Sequence, residues 1–249
     1  MGKLEEDIFV CVDCETTGLD PKSDRIIEIG AIRFRGKEIL DRYETLVDPE
    51  RDIPDASKEI HNISNEMVKG KPKIREVLSF VLEFIGTHIL VGHGIGFDID
   101  AIASSAERHE IPCKIRKNPI LDTLRMARLY GECPTNSLQQ LRKHFNVEQE
   151  DAHRAMGDVI VNIEVFRHLA ERFRTTEQLF KALSRPIAMK IMPLGKHKGR
   201  LIKDIPLDYL LWAANKDFDQ DLLYTLRSEI KRRKSGNLFS QASNPFHNL

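Results

Sequence analysis

Long apolar runs are missing from this sequence of 249 residues. The most apolar segment, VLSFVLEFIG, is short and contains Glu83, whereas a helix that crosses a bilayer needs about 20 apolar residues. The first residues, MGKLEED, are acidic and lack the apolar core of a signal peptide, and Glu6 stands where a myristoylation signal has Ser or Thr. The sequence therefore predicts a cytoplasmic protein with no membrane partner.

Cysteine is also scarce, because the four present are too few for a disulfide scaffold. Cys11 and Cys14 form a CxxC pair, but no second pair and no nearby histidine completes a zinc site. A thioredoxin-like pair would open a helix, whereas IFVCVDC has the composition of a strand. These two residues are predicted to be ordinary buried thiols.

The whole chain has no net charge, with 38 Lys and Arg against 38 Asp and Glu. The basic and acidic residues are, however, unevenly distributed along the sequence. Residues 190–234 carry 11 Lys or Arg and six Asp or Glu, so the rest of the chain has an acidic excess of five. A basic segment beside an acidic body favours phosphate-rich ligands. The alternative is a solvated basic helix end at 227–234, which the helix dipole would favour.

The order of predicted elements indicates an α/β fold. Three strands with turns between them fill residues 8–48 and predict an antiparallel meander. Helical spacing follows in KIREVLSFVLEFIG, and THILVGH and NPILD then predict two short strands among further helices. This pattern predicts a mixed sheet with helices on both faces.

The large pattern ends near residue 175. We predict one domain over 5–174, a linker over 175–190, a small basic α+β module over 191–234 and a disordered tail over 235–249. The module is predicted to form a hairpin and two helices. Its Trp212 and Tyr209 have helical spacing, which favours a place in the core over stacking on a nucleic acid.

Two carboxylates end the first predicted strand. Asp13 and Glu15 in CVDCETTGLD point to one face because strand side chains alternate, about 6.6 to 6.8 Å apart. Two such charges repel each other unless a cation lies between them. A divalent metal is the simplest compensator, and the alternative is a frayed strand end with both acids in water.

Further acids follow in two other segments. Asp98 comes after the glycines of LVGHGIGFDID, whose spacing is not that of a dinucleotide loop, and EDAHRAMGD contains His153 and Asp158. Two-metal phosphoryl chemistry needs oxygen ligands for Mg²⁺ or Mn²⁺ and a group that takes a proton from water near neutral pH. Four carboxylates and one histidine supply those groups.

With these motifs in this order, the sequence resembles the DEDDh 3′-to-5′ exonucleases, whose members include the proofreading epsilon subunit of bacterial DNA polymerase III. VDCETTG resembles the first motif, GHGIGFD the second and HRAMGD the third. The resemblance implies a ribonuclease H-like fold. MPLGKHKGRLIKDIPLDYLLWAA resembles the small module that follows the nuclease domain in exodeoxyribonuclease X-type proteins. One departure is Gly94, where the family commonly has Asn.

The resemblance also implies residue roles. Asp13, Glu15 and Asp158 would ligate two divalent cations, Mg²⁺ or Mn²⁺, with Asp98 acting directly or through water and His153 serving as general base. The positions that would hold the terminal nucleotide are Thr16, Thr17, Leu19, His93 and Phe97, and the candidate nucleic-acid contacts of the module are Lys196, Lys198 and Arg200.

The implied function is removal of nucleoside 5′-monophosphates from a single-stranded or frayed 3′ end of DNA during repair or processing. Three alternatives stay open at this point: a proofreading subunit, an RNA-trimming enzyme, and a binding protein that has lost its chemistry. The implied partners are nucleic acid and, for a proofreader, a DNA polymerase. The tail QASNPF also has a faint likeness to peptides that dock on a sliding clamp.

Overall fold

The structure is a computed structural model that describes residues 3–130, 136–148 and 154–242, with side chains described as far as 235. The chain divides into two compact units. The first comprises Met1–Met126 and Ser137–Lys181, and the second comprises Ala127–Asn136 and Ala182–Leu249. In the described part of the chain, no helix has the length and apolar character needed to cross a membrane.

A five-stranded mixed sheet forms the centre of the first unit, in the order β3-β2-β1-β4-β5. The strands are β1 (Phe9–Thr16), β2 (Ile26–Arg35), β3 (Glu38–Leu46), β4 (Ile89–Gly92) and β5 (Ile120–Asp122). The first three strands pair antiparallel, whereas β4 runs parallel to β1 and to β5. The predicted meander and the two later strands are confirmed, and this topology is ribonuclease H-like.

Strand β1 lies in the middle of the sheet because its first half is apolar on both faces. Phe9, Val10, Cys11 and Val12 are all buried, as expected for a strand that helices cover on both sides. Strand β3 lies at an edge, and its charged side chains are largely exposed, which protects that edge from pairing with another chain.

Helices cover both faces of the sheet. Those of the first unit are α1 (Asp55–His61), α2 (Asn65–Val68), α3 (Ile74–Ile85), α4 (Gly96–Arg108), α6 (Leu138–His144) and α7 (Ala155–Ala170), while α5 (Thr123–Tyr130) and α8 (Thr176–Leu183) belong partly to each unit. One core joins Val10 and Val12 of β1 to the predicted apolar stripe of α3 and to α4. On the other face, Phe166 of α7 packs against Phe9 and Phe34 with ring centroids 5.2 and 5.9 Å apart.

Gly30 of β2 allows α7 to begin directly on the sheet. A Cβ at this position would lie 2.8 Å from the backbone carbon of Ala155 and 2.8 Å from the backbone nitrogen of Met156. Backbone atoms cannot swing aside as a long side chain can, so any larger residue forces the first turn of α7 away from β2.

The second unit has its own small core, formed by Met192, Ile202, Ile205, Leu210, Ala213, Leu222 and Leu226. Its helices are α9 (Leu207–Ala213) and α10 (Gln220–Ala242), which agree with the two predicted from sequence. The predicted hairpin is reduced to one bridge between Ile191 and Leu201. A 3₁₀ turn at 195–197 lies between the bridged residues, and a second, at 202–204, directly follows Leu201.

Two boundaries differ from the predictions. Helix α10 continues to Ala242, although we expected no regular structure after 234. An established helix adds residues at little cost once its first turn has formed, and Leu238, Gln241 and Ala242 are good helix formers. Helix α8 occupies 176–183, within the segment assigned to a linker. Residues 243–249 of the predicted tail lie outside the described residues.

Buried charge explains why residues 127–136 belong to the second unit. The nearly buried Arg128 guanidinium donates to Asp219 and Asp221, each at 2.9 Å, and Asp221 is completely buried. Asp221 also accepts the backbone N–H of Ile187. Removing either charge would leave its partner buried and unpaired, which is costly.

We predict that Gly30→Ala lowers the free energy of unfolding by about 1 to 3 kcal/mol, because the added methyl overlaps the α7 backbone. Urea denaturation measures this loss. The matched control is Gly96→Ala, since a Cβ at Gly96 meets nothing within 4 Å, and it should change stability by less than about 0.5 kcal/mol. Equal stability of Gly30→Ala and the unchanged protein would contradict the close approach.

Candidate active site

Three carboxylates from β1 and α7 meet at one end of the sheet. Asp13 and Glu15 alternate along β1, and Asp158 lies in the first turn of α7. One carboxylate oxygen from each lies within 4.8 Å of the others, and all three residues are half-buried. The two β1 acids therefore face a third acid that lies over 140 residues later in the chain.

Asp98 is joined to the same strand by a hydrogen bond. It lies in the first turn of α4, is buried, and accepts the backbone N–H of Cys14 at 2.9 Å. Cys14 stands between Asp13 and Glu15, so Asp98 fixes the backbone that carries both acids. It is not among the three acids whose oxygens lie within 4.8 Å of one another. This placement favours an action on the site through β1 or through water.

The gathered acids strongly perturb one another. Burial, together with the charges of Asp98, Glu15 and Asp158, raises the pKa of Asp13 well above its usual range. Burial and Asp158 raise the pKa of Glu15 to about 8, and Arg154 opposes this shift only in part. Burial also raises the pKa of Asp98 to about 7. Each carboxyl therefore resists ionisation unless further positive charge is present.

A divalent cation fits this group of side chains. Mg²⁺ and Mn²⁺ prefer carboxylate oxygens, and three of these lie close enough together to share an ion. Burial and the neighbouring acids raise the pKa of Asp13 and Glu15, and a cation among these side chains would favour their ionised forms. The residues present are thus chemically suited to the metal that the sequence predicted.

Glu28 positions the third acid, and the sequence reasoning missed it. This β2 residue is completely buried and lies opposite Glu15 in the sheet. Its carboxylate accepts the Arg154 guanidinium and, at 2.9 Å, the backbone N–H of Ala155. The first turn of α7, which carries Asp158, is therefore tied to β2. The available signal was a lone acid inside the apolar run RIIEIGAIRF, at an inward-facing position.

His153, the predicted general base, lies outside the described residues. Its neighbour Arg154 is described and held by Glu28. The role assigned to His153 remains a prediction.

The second motif forms the turn between β4 and α4. His93 Nδ1 lies 3.0 Å from the hydroxyl of Thr123, and the backbone N–H of Gly94 donates to Asp122 at 2.9 Å. Gly94 has a φ of +70°, which favours glycine and, after it, asparagine. Glycine and asparagine both tolerate this positive φ, so Gly94 can form the turn although the family commonly has Asn at this position. Phe97 is half-buried in the first turn of α4.

The residues of the loop after β1 differ in their burial and in their hydrogen bonds. Thr17 is buried, and its hydroxyl donates to Asp24 at 2.9 Å and accepts the backbone N–H of Arg25. The Thr16 hydroxyl donates to the Gly18 carbonyl at 2.6 Å. Leu19, in contrast, is 87% exposed. Of the three predicted nucleotide contacts in this loop, Leu19 presents the freest apolar surface.

Residues 10–166 match the family model described as Exonuclease. The chain belongs to this exonuclease family. Its membership confirms the family that the three motifs predicted, the DEDD-type 3′-to-5′ exonucleases. Residues 181–232 match a second model, described as a putative quorum-sensing-regulated virulence factor, which covers most of the second unit.

Curated relatives are bacterial replication proteins. The chain is 35% identical over 169 residues to the DNA polymerase III subunit epsilon of Aquifex aeolicus, which covers 68% of this chain and 83% of that protein. It is 32% identical over 226 residues to the PolC-type DNA polymerase III of Clostridium perfringens, or 90% of this chain. The chain spans only 15% of that polymerase and 11% of the Bacillus subtilis one.

Solved structures support the fold. Exonuclease X in complex with 5′ overhanging duplex DNA matches with a TM-score of 0.55 and 24% identity, over 70% of this chain and 99% of that one. Escherichia coli exonuclease I in complex with a dT13 oligonucleotide matches with a TM-score of 0.62 and 20% identity, over 71% and 43% of the two chains. At these identities the likeness concerns the fold alone.

The two β1 cysteines, Cys11 and Cys14, are buried thiols. Burial is the main cause that raises the pKa of both Cys11 and Cys14, and a thiol with a raised pKa is a poor nucleophile. Cys11 lies 3.7 Å from the Val159 carbonyl and packs under α7. Redox chemistry at this CxxC pair therefore has no support.

The basic residues predicted to contact nucleic acid lie in the second unit of the exonuclease. Lys196, Lys198 and Arg200 are all exposed. The expectation that Trp212 belongs to the core is wrong, because it is 52% exposed. Tyr209 is half-buried against the small core. Helical spacing did not distinguish these cases because α9 has only seven residues and buries a narrow face.

We predict that the protein loses thermal stability in a metal chelator as the pH rises from about 5 to about 8. The pKa of Glu15 is about 8 when folded, against an ordinary value of 4.5. The folded state therefore binds more protons than the unfolded chain in this window, and stability falls as those protons leave. Differential scanning fluorimetry measures the melting temperature, and added Mn²⁺ should offset the loss.

Asp158→Asn tests the cause of this loss. It removes one of the charges that raise the pKa of Glu15, so the fall in melting temperature should become shallower. The control is Glu44→Gln, which changes an exposed acid on the edge strand β3. An identical pH dependence in Asp158→Asn and in the unchanged protein would contradict this account.

Proposed function

We propose that this protein is a metal-dependent 3′-to-5′ exonuclease that removes nucleoside 5′-monophosphates from the 3′ end of DNA. The observation that carries the proposal is the group formed by Asp13, Glu15 and Asp158, whose oxygens lie within 4.8 Å of one another. Membership of the exonuclease family supports a role for that group in phosphodiester hydrolysis.

Asp13, Glu15 and Asp158 would hold the divalent cations, Mg²⁺ or Mn²⁺. Such ions, when bound, polarise the scissile phosphate and stabilise the leaving oxygen. Asp98 would keep the backbone of Cys14, and with it both β1 acids, in place. Glu28 would keep the first turn of α7 on β2.

In the hydrolytic step, a water oxygen forms a bond to phosphorus while the bond from phosphorus to the 3′ oxygen of the preceding nucleotide breaks. His153 would accept the proton of the attacking water, a role for which imidazole has a suitable pKa near neutral pH. The departing 3′ oxygen takes up a proton, so the shortened strand ends in a 3′ hydroxyl. Leu19 and Phe97 offer apolar surface to the terminal nucleotide, and His93 lies in the same turn as Gly94.

DNA is the proposed substrate. Its support comes from relatives named as DNA polymerase III subunits and from the solved structures named as complexes with DNA. RNA remains the competing substrate, because selection against a 2′ hydroxyl depends on the shape of the pocket. A binding protein without chemistry is disfavoured, because all five motif residues are present in the sequence.

A proofreading subunit of a replicative polymerase is the second candidate, favoured by the epsilon relative. The basic second unit favours a stand-alone repair enzyme, because a proofreader obtains much of its hold on DNA from the polymerase. Docking on a sliding clamp through QASNPF stays a prediction, since that segment extends beyond the described residues. Activity that requires an added polymerase would favour the proofreading assignment.

We predict that Asp13→Asn reduces the digestion of a 5′-labelled oligonucleotide to background, because it removes a proposed metal ligand. His153→Ala should lower kcat by roughly 10²- to 10⁴-fold, the usual contribution of a general base. A gel ladder and chromatography of released nucleotides measure both effects. Glu44→Gln should digest normally, and undiminished digestion by Asp13→Asn would refute the proposal.

We also predict a preference for DNA over RNA among matched 3′ ends. The assay compares single-stranded, duplex and 3′-mismatched substrates of each nucleic acid with Mg²⁺, at equal concentrations. Faster trimming of single-stranded or mismatched DNA ends would agree with the proposal. Faster trimming of RNA in every form would assign the protein to the alternative substrate.

A further inference from the structure

One face of the second unit presents aromatic rings beside basic side chains. We call it the Trp212 surface and define it by the aromatic side chains of His197, Tyr209 and Trp212 and by the basic side chains of Lys196, Lys198, Arg200 and Lys216. All of them lie on the 3₁₀ turn at 195–197, on the following residues, on α9 or directly after α9. The catalytic proposal makes no use of this surface.

Trp212 is the only tryptophan in the sequence, and its side chain is exposed. Leu210 and Ala213 of the same helix are completely buried in the small core, so α9 already has an inward face. Trp212 lies off that face with half of its surface open, and Leu211 beside it is 36% exposed. Tryptophan is enriched at interfaces because its ring is apolar and its N–H is polar.

The indole of Trp212 is held in place by its neighbours. The Tyr209 ring lies 5.2 Å away between centroids, and the Lys216 ammonium lies 4.8 Å above the indole. On its other side, Tyr209 meets the His197 ring edge-on at 4.4 Å. These contacts lower the entropy that a ligand must remove when it stacks on the indole.

The basic loop lies directly against this row of rings. Gly195 has a φ of +72°, and a Cβ there would lie 2.8 Å from the hydroxyl oxygen of Tyr209. The positive φ favours glycine at this position, and its lack of a Cβ leaves room for the Tyr209 hydroxyl. The residues after it, Lys196 and Lys198, are therefore held beside the aromatic row while their side chains stay exposed.

The positive charges of the Trp212 surface are not neutralised by carboxylates. Residues 195–203 contain four Lys or Arg and no Asp or Glu. Arg200 contacts His197 and the backbone carbonyl of Asp204, so its guanidinium is positioned but its charge is not paired. Within the described part of the chain, no ion pair involves Lys196, Lys198, Arg200 or Lys216.

We propose that the Trp212 surface binds single-stranded nucleic acid, with a base stacked on Trp212 and phosphates held by Lys196, Lys198 and Arg200. Stacking platforms flanked by cations are the common means of holding a single strand without reading its sequence. A protein partner would also use an exposed tryptophan, but it would not call for unpaired cations around it. The choice of nucleic acid over other polyanions rests on the proposed nuclease function.

The single tryptophan makes the test direct, because all indole fluorescence comes from Trp212. The full-length Asp13→Asn protein in EDTA is titrated with an oligonucleotide of deoxythymidine, which it cannot digest. Quenching of the fluorescence is expected as a base stacks on the ring. Binding is measured in parallel by fluorescence anisotropy of a labelled oligonucleotide.

Trp212→Ala, made in the same Asp13→Asn background, should bind the oligonucleotide roughly 5- to 100-fold more weakly, the loss expected for one stacked base. Trp212→Phe should recover part of the affinity because it keeps an aromatic face. The matched control is Tyr224→Ala, which removes a 46% exposed aromatic ring from α10, and it should bind as tightly as the parent. Circular dichroism establishes that each variant is folded.

Changing Lys196 and Lys198 together to Gln tests the phosphate contacts. Each phosphate contact to a single strand contributes about 0.7 to the slope of log affinity against log salt concentration. The double variant should therefore bind more weakly and with a slope smaller by roughly 1.4. An unchanged slope would remove these lysines from the proposal.

Unquenched fluorescence, together with equal affinity in Trp212→Ala and its parent, would overturn the proposal. If Trp212→Ala instead abolished a concentration-dependent self-association in light scattering while oligonucleotide binding stayed unchanged, the surface would be a protein interface. Failure of the catalytic proposal is detected by a separate assay, which measures the hydrolysis of a chromogenic p-nitrophenyl ester of thymidine monophosphate. That ester is too small to occupy two sites, so Trp212→Ala with an intact Asp13 should cleave it at the normal rate.

Discussion

Repulsion among three carboxylates is the constraint on which the rest of the structure depends. One carboxylate oxygen each of Asp13, Glu15 and Asp158 lies within 4.8 Å of the others in a half-buried place, where burial and then the neighbouring acids raise the pKa of Asp13 and of Glu15. Flexible supports would let the acids move apart. The fold prevents this through a central strand and through direct ties from α4 and α7 to the sheet.

These ties are strong because they use buried charge and backbone. Glu28 is a completely buried carboxylate that accepts both the Arg154 guanidinium and the first N–H of α7. Gly30, two residues later on β2, leaves room for the α7 backbone to rest on the sheet. The strand that faces Glu15 therefore also fixes the helix that carries Asp158, so one element determines the spacing of the whole acid group.

Much of this site could be predicted from sequence because its signals are local. The alternation of a strand places Asp13 and Glu15 on one face, and the motif order identifies Asp98 and Asp158 as their companions. Glu28 could not be found in the same way, because its partners Arg154 and Ala155 lie about 130 residues away in the chain. Trp212 was misplaced because a helix as short as α9 gives too few positions to define its buried face.

Acidic and basic residues are concentrated in different parts of the chain. The acids of the first unit repel a polyanion when they are ionised, and bound cations would weaken that repulsion. The acidic excess of five outside residues 190–234 adds to that repulsion, whereas 190–234 has a basic excess of the same size. A polyanion is thus attracted by one part of the chain and repelled by the other. Because exposed lysines act over about 8 to 10 Å in salt, such attraction selects charged strands in general. It does not distinguish one base sequence from another, because phosphate contacts carry no sequence information.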